Sequence, residues 1–386
     1  MMGQQDDVAV LVGNGLSIAF NPELELRSIT EEVMRRIRTA DGDDAVAAMK
    51  EIAENALPEG VTSAEDFEHL VGAFGTESRM LGMLETLATL TSPKDEELRE
   101  AIRRVASFAA QVRDNGVSHV LEVICERTHA EFEKAAELHA LVTAILQAFP
   151  GRVAFGNLNY DTLLLAALLH VCREREVADL ADGRTSVEVA FAANRTRMVK
   201  ALRRTAADFP KDWRVNLLHL HGSLTYWENR RDDIYAKIPK EILDDEKQWA
   251  AVRQRTTNVR PSVVLANPRD KAQHAGEYPY KLAYEVFEEG LNRAMRWIVI
   301  GYSFRDAPIN RMLSARFLDM EEKPAVLVVT HGEGPTDLEV HRAFGWGADD
   351  GDPSSWLTIC RSGANGLQHT AEWQAYLAGP AGSPKA

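Results

Sequence analysis

Cysteine is scarce in this chain. Its 386 residues hold three, Cys125, Cys172 and Cys360, far apart and with no C-x-x-C pair, which excludes a disulfide framework and a zinc ribbon. Long hydrophobic runs are missing too: even Leu163 to Cys172 falls short of the ~18–20 residues needed to cross a bilayer. Positive charge is in deficit, 44 Lys and Arg against 58 Asp and Glu, for a net charge of −14. Phosphate binding needs a basic face, so this balance excludes a surface that wraps nucleic acid and leaves open only a local basic patch. The opening residues, Met1 to Asp7, are polar and acidic, unlike a secretory signal. The expectation is a cytoplasmic chain with no membrane partner and no direct nucleic-acid binding. What is present in quantity is core material, 45% hydrophobic and 26% charged residues. At about 150 residues per domain the length suggests two to three compact units.

The hydrophobic pattern divides the chain. Val8 to Val12 is a short, β-branched run that stops at Gly13-Asn14-Gly15, as a buried strand feeding a tight turn would. From about Ser28 to Phe149 the spacing is helical. Ser28 with Glu31 reads as a capping box, and Ser63 with Asp66 as another helix start. Strand signals return at 152–155, 187–191, 214–221, 262–266, 297–300 and 325–330, mostly separated by helical stretches. Such alternation predicts an α/β fold: a Rossmann-like parallel sheet with helices on both faces, interrupted by a large all-helical insertion. The expected organisation is a discontinuous α/β domain from residues 1–27 and 150–335, a helical insertion at 28–149, and a C-terminal extension at 336–386.

Four strand ends carry candidate chemistry. Gly13-Asn14-Gly15-Leu16-Ser17 follows the first strand, where glycines allow close approach of a phosphate; two glycines also serve ordinary strand-to-loop packing, and Ile18 replaces the third glycine of a dinucleotide fingerprint. Asn157-Leu158-Asn159-Tyr160-Asp161 places two amides and a carboxylate at the next strand end, with Asp161 readable either as a ligand contact or as a helix cap. In Leu217 to Ser223, His219 and His221 share a strand face. His221, beside Gly222, is placed to exchange a proton in a cleft; His219 reads equally as a hydrogen-bonded core histidine. An H-x-H pair also suits a metal, but no third ligand is near in sequence. The stretch Ile298 to Asp306 reads as the end of a further strand, then Gly301, then polar residues including Ser303, leading to a helix with Pro308 near its start, a pattern suited to a ligand loop or to packing. Thr330-His331-Gly332 is a further candidate wall.

Taken in order, GNGLS, NLNYD, LHLHGS and IGYSFRD resemble the sirtuin-like superfamily, most closely its bacterial branch that hydrolyses NAD in defence against phage. The resemblance covers residues 8–17 and about 150–330. It implies NAD as substrate, with no metal; Gly13, Asn14, Gly15 and Ser17 at the pyrophosphate and neighbouring ribose; Asn159 holding the nicotinamide ribose or a water; Asp161 on the carboxamide; His221 as general base; and Gly301 with Ser303 along the adenosine end. It implies an NAD glycohydrolase that yields ADP-ribose and nicotinamide, depletes its own cell's NAD, and is controlled by homo-oligomeric assembly or by a partner, a HerA-type ATPase among them. The departures are specific. Asn157 and Leu158 replace the sirtuin Thr and Gln, the stretch after Ser17 lacks a clear P-D-F-R, and the four zinc cysteines are absent, which argues against protein deacylation. Three other readings stay open from the residues: an NAD or ADP-ribose sensor without turnover, an NAD-dependent deacylase or ADP-ribosyl transferase, and a metal-dependent hydrolase.

Overall fold

All five residues of Val8–Val12 are buried, the pattern of a strand covered on both faces. The structure, a computed structural model, describes residues 6–44, 46–47, 50–51, 83–84, 86–88, 90–91, 95–128, 132–173, 175–191, 195–265, 268–347 and 349–379. Seven strands form one parallel sheet: β1 (Val8–Val12), β2 (Val153–Asn157), β3 (Val177–Ala178), β6 (Val215–His219), β10 (Arg296–Ile300), β11 (Ala325–Val329) and β12 (Leu357–Cys360). Their spatial order is β12-β11-β10-β1-β2-β6-β3. β1 is central, with β2 on one side and β10 on the other. The chain therefore builds outward first to one side and then to the other, and the order reverses between β10 and β1. Ligands of open parallel sheets bind at such a reversal, beyond the carboxyl ends of the strands.

Alternation along each strand sends neighbouring side chains to opposite faces. Val8, Val10 and Val12 join Leu138, Leu141, Val142 and Ile145 of the helix Ala135–Ala148 and Leu164 and Leu168 of the helix Leu163–Val171. Ala9 and Leu11 face the other way, onto Ala283, Phe287 and Leu291 of the helix Tyr280–Arg293 and Leu313 of the helix Ala307–Asp319. The α/β architecture with a parallel sheet covered on both faces is thus present. No described helix is long and apolar enough to cross a membrane.

The expectation of a single parallel sheet needs correction. A second, antiparallel sheet is formed by β4 (Ala181–Phe191), β5 (Arg195–Leu202), β7 (Gly222–Asn229), β8 (Ile234–Lys237) and β9 (Arg260–Val263), ordered β4-β5-β8-β7-β9. The runs at 187–191 and 262–266 belong here, in β4 and around β9. The reason is connection length: only three residues separate β4 from β5, and only Leu220-His221 separate β6 from β7. A parallel crossover takes a dozen or more. The run at 214–221 likewise ends as a parallel strand at His219, leaving His221 in the passage between the sheets.

Every described element between β1 and β2 is helical. The helix expected to start at Ser28 instead spans Leu26–Asp41, with Glu25 as N-cap. Ser28 lies inside the first turn and its hydroxyl accepts a hydrogen bond from Arg127. Ser63 and Asp66 lie outside the described residues. The helix Glu96–Arg127 is 32 residues long. Its residues 118–125 are buried, and Glu122 there meets both Arg36 and Arg253, joining the helix Leu26–Asp41 to the helix Glu246–Arg253.

Candidate active site at the carboxyl ends of the parallel strands

The strand order β10-β1-β2-β6 lays the four motifs side by side. Each loop leaves the sheet still hydrogen-bonded to its neighbour: Gly13 N–H donates to Ile300 O, Leu158 N–H to Val12 O, and Leu220 N–H to Asn157 O, all at 2.9 Å. Asn157 and His219 are register partners, so Asn159 and His221 each stand two residues past a paired position on adjacent strands.

The glycines interlock. A Cβ on Gly13 would sit 2.6 Å from Gly301 O, and one on Gly15 would sit 2.6 Å from Gly301 Cα. Gly301 itself has φ +63°, in the left-handed region that favours glycine. Gly15 N–H donates to Gly301 O at 2.9 Å. The first and fourth motifs are therefore packed backbone to backbone, and the N–H groups of Gly13 and Gly15 are spent on carbonyls of the neighbouring loop. Asn14 is half-buried, and its Nδ2 is buried with no hydrogen-bond partner in the protein.

Ser17, Asn159 and Asp161 form one buried chain. Asn159 Nδ2 donates to Gly13 O at 3.1 Å and to Ser17 Oγ at 2.8 Å, and Ser17 Oγ donates to Asp161 Oδ2 at 2.6 Å. Because a carbonyl can only accept, the bond to Gly13 O fixes which end of the Asn159 amide is nitrogen. Asn159 N–H is held in turn by Asn157 Oδ1 at 3.1 Å. The other Asp161 oxygen accepts from Leu163 N–H at 2.9 Å; the N-cap of the helix is Thr162, so Asp161 steadies the turn just ahead of the helix and is not its cap. Burial pushes the Asp161 carboxyl above its ordinary value, against the opposing pull of Ser17 and Leu163 N–H.

His219 is a core histidine. It is 2% exposed, lies edge-on to Tyr226 with ring centroids 5.4 Å apart, and its Nδ1 is 3.3 Å from Asn157 Nδ2. An amide nitrogen only donates, so Nδ1 accepts and the ring is neutral there. Burial drives its pKa down to about 4.

His221 is held differently. Gly222, at φ +86°, turns the chain from β6 into β7, Val264 N–H donates to His221 O, and Leu224 N–H donates to Tyr160 O. Its Nε2 lies 3.3 Å from Asp306 Oδ2, and Lys271 Nζ lies 3.5 Å from the same oxygen. The imidazole and carboxylate are within ion-pair distance without the alignment of a hydrogen bond, and both atoms are buried. Asp306 comes from the loop after β10. Its Oδ1 caps the helix Ala307–Asp319 through Ile309 N–H at 3.1 Å. Burial alone would raise the Asp306 carboxyl, but His221, Lys271 and Ile309 N–H outweigh it and hold the group well below the usual carboxylate range.

Other sequence candidates have different surroundings. Ser303 is exposed. Thr330 is buried and its hydroxyl donates to Gly334 O at 2.6 Å, while His331 is exposed. A surface groove of about 450 Å³ runs along the helices Tyr280–Arg293 and Ala307–Asp319, past Ala272, Tyr284 and Met312, and none of the predicted site residues lines it. Among the described residues no group of three or more His, Cys, Asp or Glu side chains is arranged to hold a metal ion. Asp306 and Lys271 are the additions that sequence reading missed. Asp306 was passed over at the end of the Ile298 to Asp306 stretch, ahead of a helix marked by Pro308, and Lys271 carried no signal.

Chemically the ends of these adjacent strands offer two groups: an imidazole backed by a carboxylate, and an oriented amide with a buried carboxyl bonded to a hydroxyl. No protein-family model matches the chain, and no curated protein matches it.

Proposed function

We propose that the chain is an NAD glycohydrolase, with residues 1–27 and 150–335, joined by β12 from the stretch expected as a C-terminal extension, forming a Rossmann-like NAD-binding domain. The observation that carries this reading is the state of the polar atoms at the strand ends. Asn159 has its nitrogen committed to Gly13 O and Ser17 Oγ, which leaves Oδ1 as its acceptor. His221 has Nε2 against Asp306, which leaves Nδ1. Two acceptors thus stand at the carboxyl ends of the adjacent strands β2 and β6, on the β1 side of the reversal in a parallel sheet, the edge where a nucleotide is expected. The order of the four motifs and their resemblance to the NAD-hydrolysing sirtuin-like branch support the same conclusion.

The reaction asks little beyond positioning and one proton transfer. The bond from ribose C1′ to the nicotinamide nitrogen breaks, and its electron pair neutralises the cationic ring. A water oxygen bonds to C1′ and its proton passes to His221. Asn159 Oδ1 accepts from a ribose hydroxyl or from that water without changing charge. General-base help contributes about 10²–10⁴-fold, and orientation as much as roughly 7–11 kcal/mol. In this reading Asp161 supports Asn159 through Ser17 as well as meeting the carboxamide.

The test is incubation of purified protein with NAD and chromatography of the products. Wild type is expected to release nicotinamide and ADP-ribose in equal amounts without an acylated or acceptor protein, and His221→Ala to lose at least about 10²-fold in rate. Binding of NAD with no release in wild type would favour the sensor reading, and release only in the presence of an acceptor protein would favour the transferase.

A further inference from the structure

Asp306 stands where it can decide which nitrogen of His221 does the work. Three features of the loop after β10 place it. Phe304 has φ +57°, outside the usual range for a residue with a side chain, and its carbonyl is held by Asn310 Nδ2 at 2.8 Å. Tyr302 OH lies 3.0 Å from Asp306 O and 2.8 Å from Asn310 Oδ1. Asp306 Oδ1 is committed to the helix cap. The carboxylate is thereby locked with Oδ2 toward His221 Nε2, and Lys271 stands at the same oxygen.

We propose that Asp306 is the positioning residue for His221: its Oδ2 accepts the Nε2 proton, fixes the neutral ring as the Nε2–H tautomer, and so makes Nδ1 the nitrogen that takes the proton from water. The assignment rests on reading His221 as the general base. The 3.3 Å separation is loose for a hydrogen bond, as apo catalytic contacts often are before substrate tightens them. Lys271 keeps Asp306 anionic, so the carboxylate stabilises the imidazolium that forms without taking its proton.

Asp306→Asn separates this role from a structural one. Asparagine caps helices about as well as aspartate, but its capping oxygen must stay on Ile309 N–H, which turns the amide nitrogen, a pure donor, toward Nε2. The ring must then accept at Nε2 and carry its proton on Nδ1, the wrong tautomer. The experiment is long-range ¹⁵N–¹H correlation on protein labelled at histidine nitrogen, the His221 signals identified by their loss in His221→Gln, together with nicotinamide release and thermal melting. Wild type is expected to show Nε2–H at His221. Asp306→Asn is expected to switch to Nδ1–H and slow release by roughly 10²–10⁴-fold with melting close to wild type. Asp306→Glu is expected to restore the tautomer and part of the rate. An Nδ1–H ring in wild type, or an Asp306→Asn protein with unchanged tautomer, overturns the proposal. A wild type with the expected tautomer but no nicotinamide release defeats the NAD glycohydrolase reading and leaves the tautomer control standing.

Discussion

His219 and His221 are two residues apart and meet opposite surroundings. His219 is enclosed by Asn157 and Tyr226 and kept neutral, with its pKa lowered to about 4 from an ordinary 6.5. A folded-state value below the unfolded one means that the unfolded chain binds the proton first. Its contribution to stability is whole above about pH 6.5 and is lost as pH falls toward 4. At ~1.4 kcal/mol per pKa unit this is on the order of 3 kcal/mol. Urea unfolding at pH 7 and pH 4.5 should therefore show a larger loss in wild type than in His219→Gln, and equal losses in the two proteins would contradict the enclosed, neutral ring. His221 instead faces a carboxylate and a lysine. Sequence spacing put the two rings on one face, and the adjoining Gly222 singled out His221 as the ring at a strand end with His219 readable as a core histidine; what the sequence did not show is the partner of His221, Asp306, remote in the chain. The pairing of Asn159 with Ser17 was hidden for the same reason: both residues were legible as site candidates, but not that they bond to each other.

At the level of elements, five of the seven parallel strands were legible because buried β-branched runs such as Val8–Val12 and Val326–Val329 end at polar or glycine turns; the two edge strands, the two-residue β3 and β12 in the stretch expected as a C-terminal extension, were not read. The helix Ala307–Asp319 was equally plain from Pro308 near its start, while its Asp306 cap emerges only in the structure. The antiparallel sheet was not read, since a strand's pattern carries no direction. The short gaps after Phe191 and after His219 held the information that a crossover was impossible there. The passage from β6 to β7 depends on Gly222, whose φ is +86° and where a Cβ would run into the Ser262 carbonyl. Gly222→Ala is expected to cost about 2–4 kcal/mol, from the left-handed backbone and the clash together, and to slow nicotinamide release by displacing His221. Denaturant melts and product assays check this, and an unshifted midpoint would contradict the turn as described.

Across the whole molecule, the site exists because of strand order. β1 and β2 are separated by more than a hundred residues, yet they are hydrogen-bonded neighbours, and β10 closes on β1 from the far side. The helices between β1 and β2 leave that edge of the sheet intact, so GNGLS, NLNYD, LHLHGS and IGYSFRD arrive together from four distant segments. The central claim is that Asn159 and His221 act on one sugar carbon. The most direct measurement is a double-mutant cycle on nicotinamide release, using Asn159→Ala, His221→Ala and both together. Groups that act as a unit lose strongly non-additively, so the double variant is expected to be little slower than the slower single variant. Losses that multiply independently, or a single variant as fast as wild type, would contradict the account.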